Sequence, residues 1–255
     1  MPKVIIVTGV SRGIGRAIVN VLADSGRDVK IVGIARSDGP LKTLKHELGD
    51  KFDFLCADVT DEQRIEQFIK EVADKYGGID AIVANAGCLE PVQDVNHISV
   101  REWKKLFDIN YFSIVSLVSF AMPFLKISTS GDIIFVSSGA SQKAYYGWGA
   151  YGSSKAALNH FAMTLASEEQ KIRAVAVAPG VVDTQMQSDI RERFGPKSMT
   201  PEALKRFTDL KENNQLLDVK LPATIYANLA LNGISDQING KYLRYNDSQL
   251  SSYYN

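Results

Sequence analysis

Short apolar, largely β-branched runs recur along the chain, and each is followed by a segment whose apolar positions fall at helical spacing. The runs are KVIIVT from residue 3, DVKIVGIA from 28, FDFLCAD from 52, DAIVANAG from 80, GDIIFVSS from 131, RAVAVAPG from 173 and NGKYLRY from 239. That alternation predicts parallel strands joined by crossover helices. The early runs are almost wholly apolar, as strands covered by helices on both faces are. No Pro/Gly/Ser linker, repeat or low-complexity block divides the chain, so the expected fold is one doubly wound α/β domain over residues 1–255. Its core is a central parallel sheet of about seven strands.

One segment breaks the rhythm. After APG at 178–180 come roughly 40 residues with helical signals and no strand, including MTPEALKRF, where Thr200 is a candidate N-cap and Pro201 the first helical position. Following the carboxyl end of a strand, residues 183–217 are expected to form a helical lid over a site, with a surface helical hairpin as the alternative.

Composition narrows the class of partner. Lys+Arg and Asp+Glu are both 29, and no basic tract offers a footprint for nucleic acid or an anionic membrane, so a small molecule is expected. Cys56 and Cys88 have neither a CxxC nor a His-spaced companion, which suggests no zinc site and no disulfide framework. His46, His97 and His160 have no evident partners and read as solvent-facing or structural, so no metal is expected. The N-terminus runs directly into a strand pattern and no stretch reaches ~18 uninterrupted apolar residues, the pattern of a soluble cytoplasmic protein without a membrane span.

The first strand-to-helix turn is VTGVSRGIG at 7–15, with Gly9, Gly13 and Gly15 close together. In an open parallel sheet this turn is the usual phosphate cradle, since glycine lets the backbone approach a pyrophosphate at the positive end of the next helix. Gly15 would also let that helix pack close to the strand. The spacing is GxxxGxG rather than GxGxxG, and taken alone the glycines also suit a purely structural turn. The second run ends VGIARSD. An acid there would favour the ribose 2′-hydroxyl of NAD, whereas Arg36, with Arg12 from the glycine turn, suits the 2′-phosphate of NADPH. Asp38 is the residue through which NADH use would enter.

Tyr151 has Lys155 four residues on, so phenol and ammonium share a helix face. An ordinary phenol, pKa about 10, is a sluggish proton donor near neutrality, and an adjacent cation lowers such a pKa by about 1 to 3 units. The run just before this helix ends in Ser137 and Ser138, whose hydroxyls can hold a substrate oxygen near the phenol. With a nicotinamide in the glycine turn, this describes a site that protonates an alkoxide.

TGVSRGIG, NAG at 85–87, SS at 137–138, YGSSK at 151–155 and PG at 179–180 resemble, in order and spacing, the short-chain dehydrogenase/reductase family, over essentially the whole chain. The resemblance implies a Rossmann-type domain, a homodimer and a catalytic tetrad of Asn110, Ser138, Tyr151 and Lys155. Ser138 would bind the carbonyl oxygen and Tyr151 donate the proton. Lys155 would hold the nicotinamide ribose and acidify the phenol, and Asn110 would keep a relay water. By chemistry alone, Asn110 reads as a structural amide. The implied cofactor contacts are Gly9, Ser11, Arg12, Gly13, Ile14 and Gly15; Ala35, Arg36 and Ser37; Asp58 and Val59; Asn85, Ala86 and Gly87; Tyr151 and Lys155; and Pro179, Gly180, Val182 and Thr184.

The region after Pro179 is similar to the sepiapterin reductase branch, and more so to fungal carbonyl reductases of the benzil-reductase type. In the pterin enzymes an acid on the last strand grips the pterin; Arg244 stands at that place, where a cation repels the donor-rich edge, and Asp247 could substitute only in a shifted register. Candidate pocket residues are Leu89, Glu90, Val92, Ala140, Tyr145, Trp148 and Met186, with Tyr145 and Trp148 able to stack on an aryl ketone. The expected activity is NADPH-dependent reduction of an aromatic or α-diketone such as benzil to a chiral hydroxy-ketone. Sepiapterin-type reduction, alcohol oxidation and a non-catalytic NADP-binding sensor or scaffold are the alternatives.

Overall fold

The structure, a computed structural model, describes residues 1–254. Its elements run β1 (Lys3–Thr8), α1 (Gly13–Asp24), β2 (Val29–Ala35), α2 (Asp38–Leu48), β3 (Phe52–Cys56), α3 (Glu62–Tyr76), β4 (Ala81–Ala84), α4 (Val100–Phe107), α5 (Ser113–Leu125), β5 (Gly131–Val136), α6 (Gly149–Glu168), β6 (Ile172–Ala178), α7 (Gln185–Asp189), α8 (Gly195–Ser198), α9 (Pro201–Glu212), α10 (Lys220–Asn232) and β7 (Tyr242–Arg244). All seven strands expected from the apolar runs form, pair in parallel and lie in the order β3-β2-β1-β4-β5-β6-β7. Several end sooner than their apolar runs. β4 stops before Asn85 and β5 before Ser137, so the residues expected to carry chemistry leave the ladder and become loops at the carboxyl edge of the sheet.

Side chains alternate across each strand, and both faces are buried. Ile5 and Val7 of β1 pack with Ile18, Val19 and Leu22 of α1 and with Tyr226 and Leu229 of α10. Val4 and Ile6 point the other way, toward Ile69 of α3, Leu117 and Val118 of α5 and Leu158 of α6. This two-sided burial is why the strands read as continuous apolar runs. The helical run Val100–Leu125 is long and apolar enough, by length and composition, to cross a membrane. Ile114, Leu117, Val118, Ala121 and Leu125 from it nevertheless belong to the second core.

Residues 183–217 form α7, a π-helical turn at Ile190–Phe194, α8 and α9. Thr200 caps α9, its side chain accepting from the Ala203 N–H at 3.3 Å, and Pro201 occupies the first turn. The two ends of the segment meet: Leu217 N–H donates to Val181 O at 2.9 Å and Asp183 N–H to Leu217 O at 2.9 Å. The excursion is therefore a closed flap rooted beside the end of β6.

Candidate active site

Strand order reverses between β1 and β4, and the chain parts there into a crevice. Thr8 and Asn85 define its floor. Thr8 Oγ1 accepts from the Asn85 N–H (3.0 Å) and the Ala86 N–H (2.9 Å), while Asn85 Nδ2 donates to Thr8 O (2.8 Å) and Gly9 O (3.3 Å). Against this floor there is no room for side chains. A Cβ on Gly15 would lie 2.3 Å from Gly9 O, and one on Gly9, whose φ is +75°, would lie 2.8 Å from Asn85 Nδ2. Close helix-to-strand packing thus dictates Gly15, while at Gly13 the φ of +56° does. No acidic residue occupies the first turn of α1, and the N-cap Arg12 makes no side-chain cap. The first-turn N–H groups and the positive end of the helix are left for an anion, with Ser11 and Ile14 half-buried beside them.

Ala35 is buried at the end of β2, and Ser37 and Arg36 follow it into solvent. Arg36 lies 3.8 Å from the Asp58 carboxylate and stays 72% exposed. Asp58 also receives the Thr60 N–H at 3.0 Å, and Val59 packs against the second core. Asp38, exposed in the first turn of α2, pairs with Lys42 at 2.6 Å. Arg12 is exposed. On the other side of the crevice, Gly180 has φ +83° and contacts Leu217 and Tyr245 too closely for any Cβ. The loop of Pro179, Gly180, Val182 and Thr184 closes on the glycine turn, the Thr184 methyl standing 3.6 Å from where a Gly13 Cβ would be. A cradle without side chains, free N–H groups and two exposed arginines fit a nicotinamide dinucleotide.

The second half of the crevice lies between β4, β5 and α6. Tyr151 and Lys155 occupy the buried face of α6 a turn apart, and Lys155 Nζ sits 5.9 Å from the centre of the Tyr151 ring. Lys155 donates to Val136 O at 2.8 Å, and Gly87 lies between its ammonium and the Asn110 amide: a Cβ there would be 3.3 Å from Asn110 Oδ1 and 3.5 Å from Lys155 Nζ. The acidified phenol expected from the sequence is not what the structure gives. Burial pushes the Tyr151 phenol above its ordinary value, opposed by a hydrogen bond with Ser138. Burial also lowers Lys155 to about 8. Both shifts follow from lost hydration, which disfavours the charged form of each group.

Ser138 is aimed by a relay that the sequence did not reveal. Ser137 donates to Asn159 Oδ1 (2.6 Å), Asn159 Nδ2 donates to Ser141 Oγ (2.8 Å), and Ser141 donates to Ser138 O (2.7 Å), which also receives Tyr242 OH at 3.3 Å. Ser137 is thereby a support rather than a second substrate hydroxyl. Asn110 sits in a π-helical turn, Asp108–Phe112, with its side chain fully buried. Its Oδ1 accepts from Cys88 N–H (2.8 Å), and its Nδ2 donates to Cys88 O (2.8 Å) and Ser154 Oγ (3.3 Å). The amide therefore braces the loop after β4 against α6, as an amide read by chemistry alone should.

Leu89, Val92, Ala140, Trp148 and Tyr151 form one apolar cluster with Ile190 and Phe207 of the flap, and Tyr145, Met186 and Phe194 pack against it. Tyr145 and Trp148 stack on each other at 5.0 Å, and Trp148 stacks on Phe207 at 5.3 Å. Phe207 is a ring neighbour of this pair that the sequence did not single out; nothing in MTPEALKRF distinguishes it from an ordinary helix-packing residue. Glu90 is exposed and reaches across to the flap, pairing with Arg193 at 3.2 Å. His97 has a partner after all, Asp94 at 2.9 Å, on the surface.

The sheet order, the glycine cradle and the Ser138, Tyr151 and Lys155 group define an oxidoreductase site, and the family profile of short chain dehydrogenases matches residues 3–194. The chain belongs to that family. It is 58% identical over 253 residues, 99% of each chain, to an uncharacterized oxidoreductase of Saccharomyces cerevisiae, YIR035C. The crystal structure of that short-chain dehydrogenase/reductase superposes with a TM-score of 0.97, covering 99% of this chain and 100% of the other at 56% identity. It is also 53% identical over 258 residues, 98% of each chain, to the (S)-benzoin-forming benzil reductase IRC24 of the same yeast. A benzil reductase of Bacillus cereus, likewise (S)-benzoin forming, is 32% identical over 237 residues, covering 89% of this chain and 93% of the relative.

Proposed function

We propose that this oxidoreductase is an NADPH-dependent carbonyl reductase that reduces one carbonyl of an aromatic or α-diketone, benzil being the type substrate, to a chiral hydroxy-ketone. The observation that carries the reading is the buried phenol of Tyr151, hydrogen-bonded with Ser138 and walled by the aromatic cluster of Trp148, Tyr145 and Phe207. The cofactor, when bound, supplies a hydride to the carbonyl carbon. Ser138 donates a hydrogen bond to the ketone oxygen, and Tyr151 passes its proton to that oxygen as it becomes an alkoxide. Lys155 lies beneath the phenol and, while charged, stabilises the tyrosinate left behind; solvent then restores the lost proton. The flap and the apolar cluster keep other water away from the reacting atoms. Steady-state kinetics with benzil and each nicotinamide cofactor tests the reading.

The choice of NADPH rests on Arg36 and Arg12, exposed at the mouth of the cradle, and on Asp38 being held by Lys42. A bound 2′-phosphate would compete with Asp58 for Arg36. Arg36→Ala is expected to lower kcat/KM for NADPH by roughly 10- to 100-fold, the size of a charge-assisted bond, and to leave that for NADH within twofold. Equal losses with both cofactors would contradict the assignment.

The Lys155 pKa of about 8 sets a second expectation. Burial lowers it, so the ammonium loses its proton as pH rises through that value, and with it the stabilisation of tyrosinate. In the reductive direction kcat/KM, which reports groups of the free enzyme, is expected to fall on the alkaline side with a midpoint near 8. A rate that stays flat to pH ~10, the ordinary range of a lysine, would remove Lys155 from this role. As for assembly and location, we read a homodimer, supported by Phe112 and Met163 standing half-exposed on neighbouring segments, and a cytoplasmic setting, supported by two free thiols, Cys56 and Cys88.

A further inference from the structure

Arg244 ends β7, beside the ketone site, and among the described residues its guanidinium has no partner. Its Nη1 lies 3.8 Å from where a Cβ on Gly139 would be, and Gly139 directly follows Ser138. Two positions back on the same face of the strand, Tyr242 OH donates to Ser138 O at 3.3 Å. The same strand thus fixes the Ser138 turn and presents a cation over it. Asp247, three positions on, is occupied by the backbone N–H and side chain of Gln249, while Glu90 pairs with Arg193 and Asp183 with Lys211 at 3.0 Å. Arg244 does not serve the cofactor's adenosine phosphate, because β7 and β2 lie five strand spacings apart in the sheet, about 24 Å.

We propose that Arg244 is a receptor for a carboxylate on the substrate, so that the site takes keto acids, and in particular aryl α-keto acids, in preference to their neutral esters. The inference rests on the reductase reading above and refines its substrate class. In an aryl α-keto acid a carboxylate replaces the second carbonyl of an aryl diketone. The ketone oxygen then meets Ser138 and Tyr151, the aryl group meets the aromatic cluster, and the carboxylate turns to the fork of Arg244, whose planar N–H pairs match it in bidentate fashion. The reaction is otherwise unchanged: one hydride to the ketone carbon, one proton to its oxygen, and the carboxylate retained as a spectator charge.

The test compares benzoylformate, its methyl ester and benzil as substrates of the wild type, Arg244→Leu and Arg244→Lys. The wild type is expected to show a KM for benzoylformate at least tenfold below that for the ester. Arg244→Leu should raise the KM for the acid at least tenfold, with kcat and both neutral substrates within about twofold, and Arg244→Lys should fall between because it keeps the charge and loses the fork. Equal KM values for acid and ester in the wild type, or an Arg244→Leu effect shared by all three substrates, would overturn the proposal. Calorimetric binding of benzoate to the NADP⁺-loaded protein supplies a readout independent of turnover. If no ketone is reduced, the reductase reading fails; Arg244 still stands if benzoate binds the wild type and not Arg244→Leu, and falls if the two bind alike.

Discussion

Replacing Tyr151 by Phe is expected to abolish most reductase turnover, by ~10²- to 10⁴-fold, the range for loss of a positioned general acid, while the protein still folds and binds NADPH. The substitution removes one oxygen and leaves the ring. The edge contact with Trp148 at 5.7 Å and the burial in the third apolar cluster therefore persist, and a fall in activity cannot be assigned to lost packing. Ser138 loses one partner but keeps its orientation, since its Oγ still accepts from the Ala140 N–H at 3.1 Å and its carbonyl is held by Ser141 and Tyr242. Single-turnover kinetics together with fluorescence titration of NADPH separates the two effects. Turnover within tenfold of wild type would mean that the proton comes from elsewhere.

Gly15→Ala carries the second large effect. The added methyl would lie 2.3 Å from Gly9 O and 2.5 Å from Asn85 Nδ2. Neither can yield cheaply, because the carbonyl belongs to the turn itself and the amide is bonded to both Thr8 O and Gly9 O. α1 must move outward from β1, at a cost of about 1–3 kcal/mol for overpacking, a fall in Tm of roughly 2–10 °C for a domain of this size. The displaced helix N-terminus also leaves the phosphate position, so the Kd for NADPH should rise at least tenfold. Gly39→Ala is the matched control: it lies on α2 with no heavy atom outside its chain neighbours within 4 Å of a new Cβ, so Tm should not fall and Kd should not rise. Wild-type Tm and Kd in Gly15→Ala would show that helix packing does not require this glycine.

What could be read from the sequence has a physical pattern. Both faces of the sheet are buried, so each strand announced itself as an apolar run, and the loops that follow such runs were recognisable as the place for chemistry. Tyr151 and Lys155 were legible because helical spacing alone puts them on one face. Other features depend on which loops meet at the carboxyl edge. The chain from Ser137 through Asn159 and Ser141 to Ser138 joins residues 22 positions apart, and the Thr8 bonds to Asn85 and Ala86 span more than 70. Phe207 reached the cluster only through the fold of the flap. The raised Tyr151 and the lowered Lys155 both follow from burial, which spacing cannot report; from adjacency alone the sign of the Tyr151 shift came out reversed.

The most direct test of the central claim is NADPH oxidation by the purified protein with benzil, other diketones, simple aryl ketones and sepiapterin, with the product identified. Rapid consumption of NADPH with benzil, yielding benzoin of one handedness, and little with sepiapterin is the predicted result. No oxidation of NADPH with any ketone, or sepiapterin turned over far faster than benzil, would contradict it.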